Sequence, residues 1–108
     1  MEEIWNNEMT EECMRISNEM ITLEPHEGKK NGLEKMKNLV ISLFSSRGFE
    51  IEIIDNKEAP YRPVLICRLD SGHDTTIGFF GHYDVEPVDN SKWSTDPWVI
   101  TVVDGRWQ

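Results

Sequence analysis

Cysteine, positive charge and long apolar runs are all scarce in this sequence. Its 108 residues include only two cysteines, Cys13 in a helical pattern and Cys67 in a strand pattern. Two isolated cysteines without a secretory pattern before them predict reduced, buried, small apolar side chains, not a disulfide. No apolar run approaches the roughly 20 residues that span a bilayer, so the sequence predicts no transmembrane helix.

The shortage of basic residues excludes a class of partners. There are 11 Lys and Arg against 20 Asp and Glu, which gives a formal net charge of -9. Nucleic acids and anionic membrane surfaces would repel such a chain. Residues 1–3 are also without the positive charge that opens a secretory signal. We therefore expect a cytoplasmic protein with neither nucleic acid nor membrane as a partner.

Two amphipathic helices are predicted in the first half of the chain. Between residues 4 and 20, apolar side chains recur every three to five positions and form one stripe on a helix. Residues 22–32 contain proline, glycine and lysine and predict a loop. Helical periodicity resumes over residues 33–44, and Gly48 is expected to end this second helix.

The periodicity then changes from helical to extended. Residues 49–54 and residues 64–69 have the composition of two strands, the first with one wet face. Residues 75–80 form a short run without charge, which predicts a strand buried on both faces. Residues 99–108 predict a hairpin that turns at an Asp-Gly pair. Two helices followed by about four to five strands indicate an α/β fold.

The residues with the clearest chemical potential come directly after the third predicted strand. His82 and Asp84 are two positions apart, so in an extended chain their side chains point to the same side. The Asp84 carboxylate can then hold one ring nitrogen as N–H and leave the other free for a metal. His82 is the candidate metal ligand, and Asp84 is the candidate catalytic residue that orients it.

The spacing alone leaves other interpretations open. Many such pairs are hydrogen-bonded histidines at a strand end, and one histidine with one carboxylate does not complete a zinc site of about four ligands. An acid–base pair acting without metal is also compatible. A Ser-His-Asp hydrolase is disfavoured because no Gly-x-Ser-x-Gly turn is present. His26 and His73 fall in predicted loops and are expected to be exposed to solvent.

The run Gly-His-Tyr-Asp-Val-Glu-Pro at 81–87, then Trp93, Asp-Pro-Trp at 96–98 and Asp-Gly at 104–105 resembles the first signature of a dizinc metallopeptidase family. The family includes aminoacylase, carnosine-type dipeptidases, acetylornithine deacetylase and succinyl-diaminopimelate desuccinylase. The resemblance implies that residues 1–108 are the N-terminal portion of a zinc-exopeptidase-like α/β/α catalytic domain. It also implies that His82 is a zinc ligand and that Asp84 is the carboxylate that orients it.

The activity implied by this resemblance is hydrolysis of an amide bond by a metal-activated water. The substrate would be a small peptide or an N-acyl amino acid, the cofactor a pair of zinc ions, and the full-length protein a candidate homodimer. The family's remaining ligands, its general base and its lid or dimerisation domain have no counterpart in residues 1–108. The segment alone is therefore expected to be inactive. The alternative is a natural truncation that acts as a non-catalytic binding domain.

Overall fold

A computed structural model of the chain describes residues 6–108. Two helices come first and four short strands follow. Their bounds, with one intervening 3-10 turn, are α1 Asn7–Thr22, α2 Lys30–Ser45, β1 Glu50–Ile54, β2 Val64–Arg68, the turn Asn90–Lys92, β3 Val102–Val103 and β4 Arg106–Trp107. Neither α1 nor α2 is long and apolar enough to cross a membrane. Ile4 and Trp5, which the helical pattern includes, lie outside the described residues.

The first helix begins where the sequence supplies a cap. The Asn6 side chain accepts a hydrogen bond from the Met9 amide at 2.9 Å, which satisfies one of the free N–H groups of the first turn. No residue of α1 is buried. Cys13 is therefore exposed, Cys67 is only partly exposed, and both are free thiols. The predicted burial of Cys13 is wrong because its side of α1 meets solvent.

The core lies at the beginning of α2. Leu33 is fully buried, Met36 is 4% exposed, and Gly32 beside them is buried too. A Cβ atom at position 32 would lie 2.2 Å from the main-chain oxygen of Leu23, so the absence of a side chain lets α2 approach the preceding loop. Gly48, with φ of +85°, follows the helix as the sequence predicts.

The first two predicted strands are confirmed as an antiparallel pair. Their register places Glu50 opposite Arg68 and Ile54 opposite Val64. β1 contacts α2, and directly before β1 the Phe49 ring meets the Phe44 ring edge-on at 5.0 Å between centroids. The prediction of two helices followed by short strands is therefore confirmed, and the arrangement is compatible with part of an α/β fold.

The third predicted strand is absent from the described part of the chain. Residues 75–80 form no regular structure, and the side chains of Ile77, Phe79 and Phe80 are 76%, 93% and 103% exposed. A strand requires a neighbouring strand to satisfy its main-chain groups. None of the four described strands pairs with this segment. Within residues 6–108, the prediction of a strand buried on both faces is wrong for that reason.

The hairpin predicted near residue 104 is confirmed, although its strands are short. Asp104 and Gly105 have φ of +50° and +74°, the left-handed values that a two-residue hairpin turn of this type requires. The amide of Ile100 donates to the Asn18 side-chain oxygen at 2.9 Å. This hydrogen bond joins the hairpin to α1.

The exposed segment 75–80 leads us to expect that the 108-residue chain self-associates. The radius of gyration of the chain is 16.5 Å, whereas a compact domain of this length has about 13 Å. Much apolar surface therefore stays uncovered. Replacing Phe79 and Phe80 together by Ser is expected to shift the chain from oligomers towards monomer in sedimentation velocity. Trp93→Ser is the matched control, because Trp93 is also exposed, at 46%, but lies outside the segment. A wild-type chain that stays monomeric at high concentration contradicts this expectation.

Candidate metal site

His82 and Asp84 face each other directly after the exposed segment. The Nδ1 atom of His82 lies 3.0 Å from Asp84 Oδ1 and 2.8 Å from the Asp84 main-chain oxygen. A carbonyl oxygen and an ionised carboxylate only accept hydrogen bonds, so Nδ1 carries the proton and donates to both. In the neutral imidazole, the other ring nitrogen, Nε2, then keeps its lone pair. This is the imidazole form that binds a metal ion.

The surroundings of the pair leave Nε2 accessible. The His82 side chain is 81% exposed, so it is not a histidine packed in the core, whereas the Asp84 side chain is 38% exposed. The structure brings the two side chains together as the sequence predicts, but with a different backbone conformation. The chain bends at Tyr83 and belongs to no strand, so the pair meets across a bend and not along an extended strand.

Two hydrogen bonds fix this bend to other loops. The hydroxyl of Tyr83 donates to the main-chain oxygen of Pro63 at 2.8 Å. The amide of Val85 donates to the main-chain oxygen of Pro25 at 2.9 Å. Pro25 and Pro63 are both buried. The residues on either side of Asp84 are therefore held by parts of the chain that are themselves packed.

The Tyr83 hydroxyl is a stable donor. Burial raises the pKa of Tyr83 above its ordinary value, the neighbouring Asp84 carboxylate raises it further, and the Arg62 guanidinium opposes the shift. The hydroxyl therefore keeps its proton near neutral pH. Its hydrogen bond to Pro63 persists under those conditions.

The other two histidines, His26 and His73, differ in their exposure to solvent. His73 is exposed, as predicted. His26 is not: its ring stacks on Trp98, with centroids 5.4 Å apart and an interplanar angle of 23°, and its Nδ1 is buried without a hydrogen-bond partner within residues 6–108. The prediction of an exposed His26 is wrong because the loop between the helices packs against the loop before the hairpin. Residues so far apart in sequence give no periodic signal of this contact.

The described residues fit one ligand of a metal site and not a whole site. Within residues 6–108, no group of three or more His, Cys, Asp and Glu side chains is placed to hold a metal ion. A zinc site needs about four ligands. His82 and Asp84 therefore do not complete a metal site within these residues, and His82 stays a candidate ligand beside Asp84.

Comparison with known proteins identifies similar sequences among hydrolases. Beta-Ala-His dipeptidase of Homo sapiens is 42% identical over 59 residues, which cover 51% of this chain and 11% of that protein. Acetylornithine deacetylase of Vibrio campbellii is 32% identical over 76 residues, covering 70% of this chain and 19% of that protein. An uncharacterised metallohydrolase of Methanocaldococcus jannaschii is 26% identical over 112 residues, covering 92% of this chain and 27% of that protein. No family model and no solved structure matches the chain.

These relatives agree with the resemblance that the sequence around His82 predicts. The chain spans only about 11% to 27% of the length of the three relatives. A dipeptidase, a deacetylase and a metallohydrolase are nevertheless the kinds of protein that the signature implies. These similarities support the metallopeptidase family that includes carnosine dipeptidase and acetylornithine deacetylase as the family of this chain.

Proposed function

We propose that residues 1–108 are the N-terminal part of an α/β/α catalytic domain in a zinc-dependent amidohydrolase. One observation carries this proposal: Nδ1 of His82 lies within hydrogen-bond distance of two oxygens of Asp84, while the His82 side chain is 81% exposed. The short coverage of the relatives supports the view that the segment belongs to a longer protein. The exposed residues 75–80 are, in this proposal, a strand whose neighbours lie in that longer protein.

His82 and Asp84 have distinct roles in this proposal. His82 binds a metal ion through Nε2. Asp84 accepts the Nδ1 proton, which fixes the tautomer and makes the imidazole a stronger ligand. Bound zinc ions supply two kinds of chemistry in such sites: they lower the pKa of water towards about 7 and they polarise an amide carbonyl. The general base and the other ligands lie outside the described residues, so the 108-residue segment alone is inactive.

The substrate we propose is a small peptide or an N-acyl amino acid. A dipeptide is favoured, since the similarity to Beta-Ala-His dipeptidase reaches 42% identity over 59 residues. Tyr83, Glu86 and Pro87 within the signature also favour the dipeptidase branch of the family. A cytoplasmic location and a homodimeric full-length protein complete the proposal.

The experiment compares two amides in the full-length protein that contains this segment. We expect β-alanyl-histidine to be hydrolysed faster than N-acetylornithine when release of the free amine is measured. Activity should disappear after chelation and return when zinc is added. The 108-residue chain, assayed in parallel, should hydrolyse neither amide.

Two outcomes contradict the proposal. Hydrolysis by the 108-residue chain that persists after chelation indicates an acid–base pair of His82 and Asp84 without metal. A reading frame that stops directly after residue 108 indicates a natural truncation, which would act by binding and not by catalysis.

A further inference from the structure

Tyr83 connects the candidate site to the beginning of β2. It lies at the bend between His82 and Asp84, and its ring is partly buried. Its hydroxyl donates to the main-chain oxygen of Pro63 at 2.8 Å, and Pro63 is buried directly before β2 (Val64–Arg68). The Tyr83 side chain thus connects the bend to the residue directly before β2.

The His82 side chain has little else to hold it. It is 81% exposed, and its described hydrogen bonds both go to Asp84. Those bonds form only while the backbone is bent sharply enough to bring the Asp84 carbonyl and carboxylate onto Nδ1. The next fixed point along the chain is Val85, whose amide donates to Pro25. Without the hydroxyl of Tyr83, only the hydrogen bond between the Val85 amide and Pro25 would hold the bend.

We propose that Tyr83 is a positioning residue, whose hydrogen bond to Pro63 keeps the bend in the geometry that places Asp84 against Nδ1 of His82. The consequence for metal binding rests on the proposed function. The consequence for the His82 ring does not, because the tautomer of the imidazole can be measured without metal or substrate.

The hydroxyl group, and not the ring, carries this role. Burial of the ring is unchanged in Tyr83→Phe, so the packing of the bend is retained while the hydrogen bond is lost. The core residues Leu33 and Met36 lie elsewhere, on α2. Loss of one hydroxyl at position 83 should therefore change the site locally and leave the fold in place.

Tyr61 offers a matched control. It is the other tyrosine of the chain, also partly buried, and its ring lies 4.8 Å from the Lys30 ammonium and 5.8 Å from the Arg62 guanidinium. Both contacts involve the face of the ring, which phenylalanine also has. Tyr61→Phe removes the same atom as Tyr83→Phe without touching the bend.

The first measurement is the tautomer of His82 in the metal-free chain. Long-range proton–nitrogen NMR spectra of the 108-residue chain, labelled at histidine and recorded at a pH where the imidazole is neutral, distinguish Nδ1–H from Nε2–H. We expect mainly Nδ1–H in the wild-type chain and in Tyr61→Phe. Tyr83→Phe should shift His82 towards the mixture of an unrestrained imidazole, with no change at His73.

The second measurement is metal affinity in the full-length protein. Loss of a group bonded directly to a metal-binding histidine typically weakens metal binding about tenfold to a hundredfold. Tyr83 acts on the ring only through Asp84, so we expect Tyr83→Phe to weaken zinc binding by up to about tenfold. Tyr61→Phe should bind zinc like the wild type. An effect on zinc affinity that exceeds the effect on substrate KM distinguishes positioning of the ligand from damage to a substrate pocket.

Each outcome decides the proposal. A tautomer ratio in Tyr83→Phe equal to that of Tyr61→Phe overturns it, and so does a collapse of amide dispersion in Tyr83→Phe, which would make the hydroxyl a requirement of the whole fold. A shifted tautomer supports it. If the tautomer shifts but His82→Ala leaves metal content unchanged, Tyr83 positions the ring and the proposed hydrolase function fails on its own.

Discussion

His82→Ala in the full-length protein is expected to remove one bound metal ion and to lower turnover by at least about a hundredfold. Loss of a partner that merely orients a ligand already costs about tenfold to a hundredfold in metal affinity or activity, so loss of the ligand itself should reach or exceed the upper end. Elemental analysis of the purified protein measures the metal content. The rate of amide hydrolysis at saturating substrate measures turnover.

His73→Ala is the matched control for this substitution. His73 is an exposed histidine in the same part of the chain, with no described side-chain hydrogen bond, so its removal should change neither metal content nor rate. Asp84→Asn should have an intermediate effect, because the amide still reaches Nδ1 but offers a weaker acceptor than the carboxylate. Unchanged metal content and unchanged rate in His82→Ala would refute the assignment of this residue.

Gly32→Ala is expected to destabilise the chain by about 3 kcal/mol or more, the upper end of what overpacking costs. Gly32 lies in the first turn of α2, where alanine would ordinarily be favoured by about 1 kcal/mol. The added Cβ atom would lie 2.2 Å from the Leu23 main-chain oxygen and 2.6 Å from that of Glu24. Both neighbours are backbone atoms, so neither can rotate away, and the steric cost exceeds the gain in helix propensity.

Gly78→Ala is the control for the change from glycine to alanine. A Cβ atom at position 78 would have no atom within 4 Å, so this substitution should alter stability by less than about 1 kcal/mol. Chemical denaturation followed by circular dichroism measures both variants against the wild type. Equal midpoints for Gly32→Ala and the wild type would show that the contact between α2 and the preceding loop is looser than the structure has it.

Local signals in the sequence predict the local elements of this fold. Apolar periodicity predicts both helices, Gly48 marks the end of the second, and Asp104 with Gly105 marks the hairpin turn. Each of these features depends on residues a few positions apart. The contact between His26 and Trp98 does not, and neither ring is preceded by a pattern that would identify the other.

The apolar run at residues 75–80 shows that composition alone is insufficient to predict a strand. Its residues have the β propensity of a buried strand, but propensity expresses how well side chains fit a sheet that already exists. No described strand pairs with the run, and its phenylalanine side chains are almost fully exposed. Whether such a segment becomes a strand depends on partners that its own sequence does not encode.

The sequence predicts the contact between His82 and Asp84, but not the hydrogen bonds that fix the bend between them. The spacing of His82 and Asp84 predicts that their side chains meet, and they do, with Nδ1 and Oδ1 3.0 Å apart. The oxygens that fix the bend belong to the main chain of Pro25 and Pro63. Main-chain acceptors are the same at every residue, so no motif could have identified these two.

A crystal structure of the full-length protein with zinc, recorded at the zinc absorption edge, tests the central claim most directly. We expect anomalous density about 2.0–2.1 Å from Nε2 of His82, with Nδ1 still within hydrogen-bond distance of Asp84. Zinc bound to Nδ1, or a zinc site that does not include His82, would contradict it.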